Sequence, residues 1–271
     1  MVQAACENTR LIERIAVLKR RQARAVMFDF DGTIGMVRAG WMPLMLDMMM
    51  ETLGTLGPDP IPLRAEAEEY VARLTGRDTY FQMAAFAEHV DRLGGSARTG
   101  REYKEAFMAW MEGARQQRLA SLVDGSIAAE ALMIPGSKGI LLALAAAGIP
   151  AYLASGSDHD SIVMECGLLG VRDLFRSIHG SAPGQPTKGE LLRQLVDSGI
   201  EPDQIMTFGD GRAEIEETAM IGGVAVGVAS DEPECVGVDQ KKRRWVIEAG
   251  AHYVIPNYLE PELMQLVGGL V

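Results

Sequence analysis

Apolar residues are spaced in three different ways along this chain. From Asn8 to about Arg21, Leu11, Ile12, Ile15 and Leu18 recur three and four apart, with Asn8 or Thr9 available as a cap, and predict a lead-in helix. Ala25-Val-Met-Phe-Asp-Phe30 is then a short apolar run broken by Asp31-Gly32-Thr33, which predicts a buried strand delivering two aspartates to a loop. Between about Gly35 and Met133 the helical spacing returns over Leu44 to Leu56, Arg64 to Leu74, Phe81 to Leu93 and Glu102 to Arg115. It is interrupted by Gly57-Pro-Asp-Pro60, Thr75-Gly-Arg-Asp78 and Gly94-Gly-Ser96.

After Ile134-Pro-Gly136 short apolar strands alternate with helices. Helices are expected over Lys138 to Ala147, Asp160 to Leu169, Lys188 to Ser198 and Glu214 to Met220, and strands over Pro150 to Ala154, near Ile178, and over Ile205 to Phe208, Gly223 to Val228 and His252 to Ile255. Such alternation means a mostly parallel sheet covered on both faces. The expected fold class is therefore α/β, a doubly wound Rossmann-like parallel sheet built from residues 1–35 and 134–271, with an α-helical domain inserted at 36–133.

Composition narrows the function classes. At 271 residues and 48% apolar, the chain can fill both a core and an insert. The richest apolar stretch, Ile140 to Leu153, falls short of the roughly 20 residues of a membrane span. Glu7, Arg10, Glu13 and Arg14 break up the N-terminal region, so a cytoplasmic location is expected. Cys6, Cys166 and Cys235 form neither a disulfide framework nor a CxxC pair. A net charge of −11 repels nucleic acid, and the basic group Lys19, Arg20, Arg21 and Arg24 reads as cations closing the first helix. An acidic protein that handles phosphate must supply positive charge locally.

In doubly wound sheets the reacting groups sit at the carboxyl ends of strands. Three polar motifs fall there: Asp29 to Thr33, Ser155-Gly156-Ser157 and Gly209-Asp210-Gly211. Asp29 and Asp31 could divide their work, one attacking and one handling protons. An anionic carboxylate can approach an anionic phosphate only across a cation. Asp29, Asp210 and the backbone carbonyl of Asp31 suit Mg²⁺, and Lys188, opening a helix, is the natural second cation. The Ser155 hydroxyl with the N–H groups of Gly156 and Ser157 suits phosphate oxygens.

Taken in order, Asp29-Phe-Asp-Gly-Thr33, Ser155, Lys188 and Gly209-Asp210 followed by Glu214 resemble the motifs of the haloacid dehalogenase superfamily, in its phosphatase branch with a helical cap after the first motif. The resemblance implies that Asp29 attacks phosphorus to give an aspartyl-phosphate, while Asp31 protonates the leaving oxygen and then activates water. It implies that Thr33, Ser155 and Lys188, with Gly32 and Gly156, hold phosphoryl oxygens, and that Asp29, Asp31 and Asp210 hold Mg²⁺. Glu214 stands where an aspartate is commoner, leaving open whether it meets the metal, a bound water or Lys188.

The cap would choose the substrate, a small phosphorylated metabolite of the sugar or polyol phosphate class. Arg38, Trp41, Arg77 and Gln82 are the candidate contacts, with plain solvation an equal reading of Arg77. The methionines Met42, Met45, Met48, Met49 and Met50 read as cap core. A dehalogenase would not need Asp31. A phosphonate hydrolase would need a cap lysine, for which Lys104 is the sole candidate between Gly35 and Met133 and is placed late. A phosphosugar mutase shares every core motif and stays open, whereas a binding module would gain nothing from the clustered carboxylates. Oligomeric state is not legible.

Overall fold

The structure, a computed structural model, describes residues 12–18, 21–56, 60–74 and 78–269. Its centre is β2 (Ala25–Phe28), whose four residues are all buried. Val26 and Phe28 face one helical layer and Ala25 and Met27 the other, so the strand is apolar throughout rather than alternating. Parallel neighbours flank it, β3 (Ala151–Asp158) on one side and β5 (Ile205–Gly209) on the other. With β1 (Glu13–Arg14), β4 (Ser177–Ser181), β6 (Val224–Val228) and β7 (Tyr253–Ile255), the sheet runs in the order β1-β7-β6-β5-β2-β3-β4.

Helices cover both faces, as the alternation requires. On the side of Val26 and Phe28 lie α5 (Ser137–Ala146), α6 (His159–Leu168) and α10 (Leu263–Val267), through Ile140, Leu144, Ile162 and Leu266. On the opposite side lie α7 (Lys188–Asp197), α8 (Arg212–Met220) and α9 (Gln240–Glu248), through Leu191, Leu195, Ile215 and Val246. Phe28 and Phe208 stack in the middle of the sheet with centroids 5.0 Å apart.

The chain leaves this layer at 34–36 and returns at 132–134. The two passages are tied by Met36 N–H donating to Leu132 O at 2.8 Å and Ile134 N–H to Ile34 O at 3.0 Å. Between them come α1 (Trp41–Leu53), α2 (Pro60–Leu74), α3 (Thr79–Arg92) and α4 (Gly100–Val123). These helices bury a core of their own, in which Met45, Met48 and Met49 pack with Leu53, Met83 and Phe86. The methionine run is interior filling, as its spacing suggested.

Three local expectations give way. The described part of the lead-in helix is not helical: Glu13–Arg14 instead form a short antiparallel edge strand on β7 and the residues around them are irregular, while the stretch before residue 12 and residues 19–20 lie outside the described residues. Ile15 and Ala16 N–H both donate to His252 O, at 2.9 and 3.2 Å, and Glu13 accepts from Arg243 Nε at 2.6 Å. An open sheet edge with its own salt bridge overrides helical periodicity. Arg21 accordingly closes no helix and pairs with Asp203 at 2.6 Å. Finally, β3 continues past Ala154 to Asp158, with its register against β4 slipping in between, so Ser155-Gly-Ser157 lies in a bulged strand end instead of a free loop.

Phe208 is fully buried against Phe28, so Phe208→Ala is expected to lower stability by about 3–5 kcal/mol in urea unfolding. A loss below about 1 kcal/mol would mean that the aromatic stack is dispensable to the sheet.

Candidate active site

Asp29 follows β2, Asp210 follows β5 and Ser155 lies near the end of β3, so three adjacent parallel strands deliver them to one edge. The connections diverge here to opposite sides of β2, which opens a crevice at the carboxyl ends. Lys188 reaches the same place as the first residue of α7. Thr187 caps that helix, its hydroxyl accepting from Glu190 N–H at 3.3 Å while Glu190 Oε2 accepts from Thr187 N–H at 2.8 Å.

The charges interlock. Lys188 Nζ lies 2.6 Å from Asp29 Oδ1 and 2.7 Å from Glu214 Oε2. Glu214 Oε1 accepts from Gly211 N–H at 2.7 Å, so both its oxygens are engaged within the protein. This settles its partner in the structure as Lys188. A Cβ on Gly209 would stand 2.2 Å from Glu214 Cγ, so only glycine lets Glu214 fold over the strand end. Lys242 of α9 sits 3.0 Å from Asp210 Oδ2 and also contacts Glu232 Oε1. Gly32, at φ +72°, brings its bare Cα under this pair; a Cβ there would lie 2.2 Å from Asp210 Oδ2.

Burial pushes the Asp29 carboxyl well above its ordinary range; Lys188 opposes the push, and Glu214 and Asp210 add to it. Asp210 is pushed up to about 6, again by burial first, with Lys242 opposing. The lowered value expected of a metal-bound carboxylate is therefore not a property of the protein groups alone. Burial would lower Lys188, but the Asp29 and Glu214 carboxylates override it and hold the ammonium above its usual value. Asp29, Asp210 and Glu214 each bring a carboxylate oxygen within 4.8 Å of the others. These hard oxygen donors fit a divalent cation, and four carboxylates, counting Glu232, face two ammonium groups.

Asp31 stands apart from that cluster. Its Oδ2 accepts from Ser157 Oγ at 2.7 Å and its Oδ1 lies 3.3 Å from Arg38 Nη1. Asp29, Asp31, Ser155, Gly156 and Asp210 line one cavity of about 150 Å³, closed on the far side by residues of the helical unit. Trp41, Gln82 and Arg38 line it too, and Arg77 lies outside the described residues. Arg38 is bound up with Glu165 at 2.5 Å as well as with Asp31. Thr33 is fully buried with no partner for its hydroxyl among the described residues, and Gly32 lies beneath Asp210. Lys104 reaches the cavity and faces Asp78 at 3.6 Å.

Sequence reasoning missed Lys242, Glu232, Glu165 and Arg115. Lys242 enters the site through its contact with Asp210. A signal existed: Lys242 shares the buried stripe of α9 with Trp245 and Val246, and Arg115 that of α4 with Phe107 and Met111. A charged residue at a buried-stripe position requires a buried partner.

Residues 23–222 match the model of the haloacid dehalogenase-like hydrolase family. No curated protein sequence matches the chain significantly. Among solved structures, it is similar to a predicted phosphoglycolate phosphatase from Haemophilus somnus (14% identity, 90% of this chain and 98% of that one, TM-score 0.56). It is also similar to a β-phosphoglucomutase from Clostridium difficile (18%, 90% and 96%, 0.52). A third is the CbbY protein of Rhodobacter sphaeroides in complex with xylulose 1,5-bisphosphate (18%, 88% and 96%, 0.54). At these identities the likeness is one of fold.

Because burial raises the folded-state value of Asp210 to about 6, the stability it lends is fully present below the ordinary carboxylate range and lost as pH rises from there through about 6; Asp29 is shifted in the same direction. In EDTA, stability relative to Asp210→Asn, followed by thermal or urea unfolding, is expected to fall between pH 4 and pH 7.5 by on the order of 2 kcal/mol. A difference that is flat or rises with pH would contradict this electrostatic picture.

Proposed function

The chain belongs to the haloacid dehalogenase-like hydrolases, and from that premise we propose that it is a magnesium-dependent phosphatase that cleaves a small phosphate monoester through an aspartyl-phosphate on Asp29. The observation that carries the reading is the convergence of Asp29, Lys188 and Asp210, where four carboxylates outnumber two ammonium groups by two charges. A divalent cation cancels that excess, and Asp29, Asp210 and the Asp31 carbonyl are the groups assigned to hold it. When bound, Mg²⁺ would neutralise phosphoryl oxygens and draw the carboxylate values back down.

The chain's own residues have these parts. Lys188 and Ser155, with the Gly156 N–H, hold the phosphoryl oxygens, while the Ser157 N–H donates to Ser155 Oγ at 3.1 Å; Gly32 keeps room for Asp210 beside them, and Thr33 keeps a buried hydroxyl that has no partner among the described residues. Asp29 bonds to phosphorus as the ester P–O bond breaks, and the electron pair stays on the leaving oxygen, which takes the proton of Asp31. Asp31 then removes a proton from water, whose oxygen attacks phosphorus and frees Asp29 and inorganic phosphate. Glu214 fixes Lys188 through the 2.7 Å contact.

The unit at 36–133 is read as the cap, with Trp41 and Gln82 as substrate contacts; Arg77 is an unplaced candidate, and Arg38 is reassigned below. A cavity of about 150 Å³ suits a small leaving group. No helix among the described residues is long and apolar enough to cross a membrane, and a cytoplasmic setting belongs to the proposal. The named activities and the sugar bisphosphate of the similar structures support a sugar or polyol phosphate substrate, with phosphosugar mutase as the second reading.

The test is phosphate release from a panel of phosphate esters, phosphosugars and phosphonates, with and without Mg²⁺. Metal-dependent release that Asp29→Asn abolishes is expected; isomerised phosphosugar without release would favour the mutase. Asp31→Ala is expected to lose turnover on the order of 10²–10⁴-fold while Mg²⁺ affinity, read by calorimetry, changes little. A Mg²⁺-binding defect as large as the rate defect would sink this division of labour.

A further inference from the structure

Glu165 lies on the stripe of α6 that also carries Ile162 and Cys166, and its side chain is fully buried. None of the roles assigned so far uses it. Two guanidinium groups from outside the sheet layer converge on it. Arg38, in the segment leading to α1, places Nη1 2.5 Å from Oε2 and Nη2 2.8 Å from Oε1. Arg115, on α4, places Nε 2.7 Å from Oε1, and its Nη1 is 3.0 Å from Glu112.

The fork of Arg38 is thus oriented by a two-point pair with Glu165, which fixes the plane of the group as well as its position. In that plane Nη1 lies 3.3 Å from Asp31 Oδ1, while Ser157 donates to Oδ2 at 2.7 Å. Asp31 is held from both sides, and one of the two holds is anchored on Glu165. Arg38 therefore stands between two carboxylates that would otherwise repel, and its Nη1 is committed to both of them. That commitment suits a group that positions Asp31 better than one that waits for substrate.

We propose that Glu165 is a positioning residue for proton transfer: by clamping Arg38 against Asp31, and by seating Arg115 of the helical unit on the same carboxylate, it holds the Asp31 carboxyl where the leaving oxygen departs. The proposal rests on the phosphatase reading, in which Asp31 gives its proton to that oxygen as the P–O bond breaks. Misplacing Asp31 harms leaving groups in proportion to their need for the proton. A p-nitrophenolate leaves well without it, and an unsubstituted phenolate of nearly the same size leaves poorly.

The experiment compares kcat/KM for p-nitrophenyl phosphate and phenyl phosphate, in the full chain with Mg²⁺, for wild type, Glu165→Gln, Arg38→Gln and Glu165→Asp. This ratio reports the first phosphoryl transfer and is indifferent to a general loss of folded enzyme. Glu165→Gln and Arg38→Gln are each expected to lose at least about tenfold more on phenyl phosphate than on p-nitrophenyl phosphate, out of the roughly 10²–10⁴-fold that a general acid supplies. Should the neutral variants not fold, Glu165→Asp keeps the charge, draws it back by one methylene, and is expected to shift the ratio about threefold in the same direction. A ratio that stays at the wild-type value in a folded variant overturns the proposal, whatever the overall loss. Wild type inactive on both aryl esters and on the whole panel of phosphate esters and phosphosugars, with Mg²⁺ and a folded chain, overturns instead the phosphatase reading beneath it.

Discussion

Asp29, Asp210, Glu214 and Glu232 crowd around two lysines at a place where water is scarce, and like charges so close are held together only by something stiffer than themselves. The central strands provide that stiffness. β2 and β5 are buried along their whole length, and Phe28 stacked on Phe208 forms a floor directly beneath Asp29 and Asp210. Close approach from above is secured by glycine: Asp210 rests on Gly32, and Glu214 folds over Gly209. The rigid layer holds that repulsion in place, and a cation bound there would relieve it.

What the sequence made legible was whatever is encoded within a few residues. A strand that is apolar on both faces, followed at once by Asp31-Gly32-Thr33, announces itself because strand and turn each have a local cause. The same holds for Ser155, Lys188 and Asp210, which stand where their elements begin or end. Illegible were features whose cause is a distant partner. Helical spacing near Ile12 and Ile15 was real, but the edge of β7 lies more than two hundred residues away and decided the matter. Glu165, Arg115 and Lys242 each interrupt an apolar stripe, a pattern that says a buried charge is paired without saying with what. Glu214 is intermediate: its place in the motif was visible, and its partner emerged only from the packing of α7 beside α8.

The helical unit differs physically from the layer it covers. Its interior is rich in methionine, and Met45, Met108 and Met111 reach the cavity together with Trp41 and Phe107. Flexible thioethers tolerate changes of shape that the close-packed strands do not. Charge chemistry thus sits on the rigid side and shape recognition on the adaptable side. Glu165 belongs to the rigid side but receives Arg115 from the other, so seating the helices and ordering Arg38 are one event in charge terms.

Asp29 and Asp31 show how one short motif places two carboxylates in two different surroundings. Residues two apart on a straight strand would point the same way and meet the same surroundings. Here the strand ends at Phe28, and the turn through Gly32 at φ +72° carries the chain out of the layer immediately afterwards. Asp29 stays in the layer, buried against a fixed ammonium group at 2.6 Å. Asp31 is delivered to its margin, where a hydroxyl and a guanidinium hold it and its side chain is 18% exposed against 7% for Asp29. On the proposed reading, a nucleophile would gain from being pinned beside cations, whereas an acid that must become a base would gain from access to the cavity. The position at which the strand stops, more than the identity of the two side chains, is what separates their surroundings.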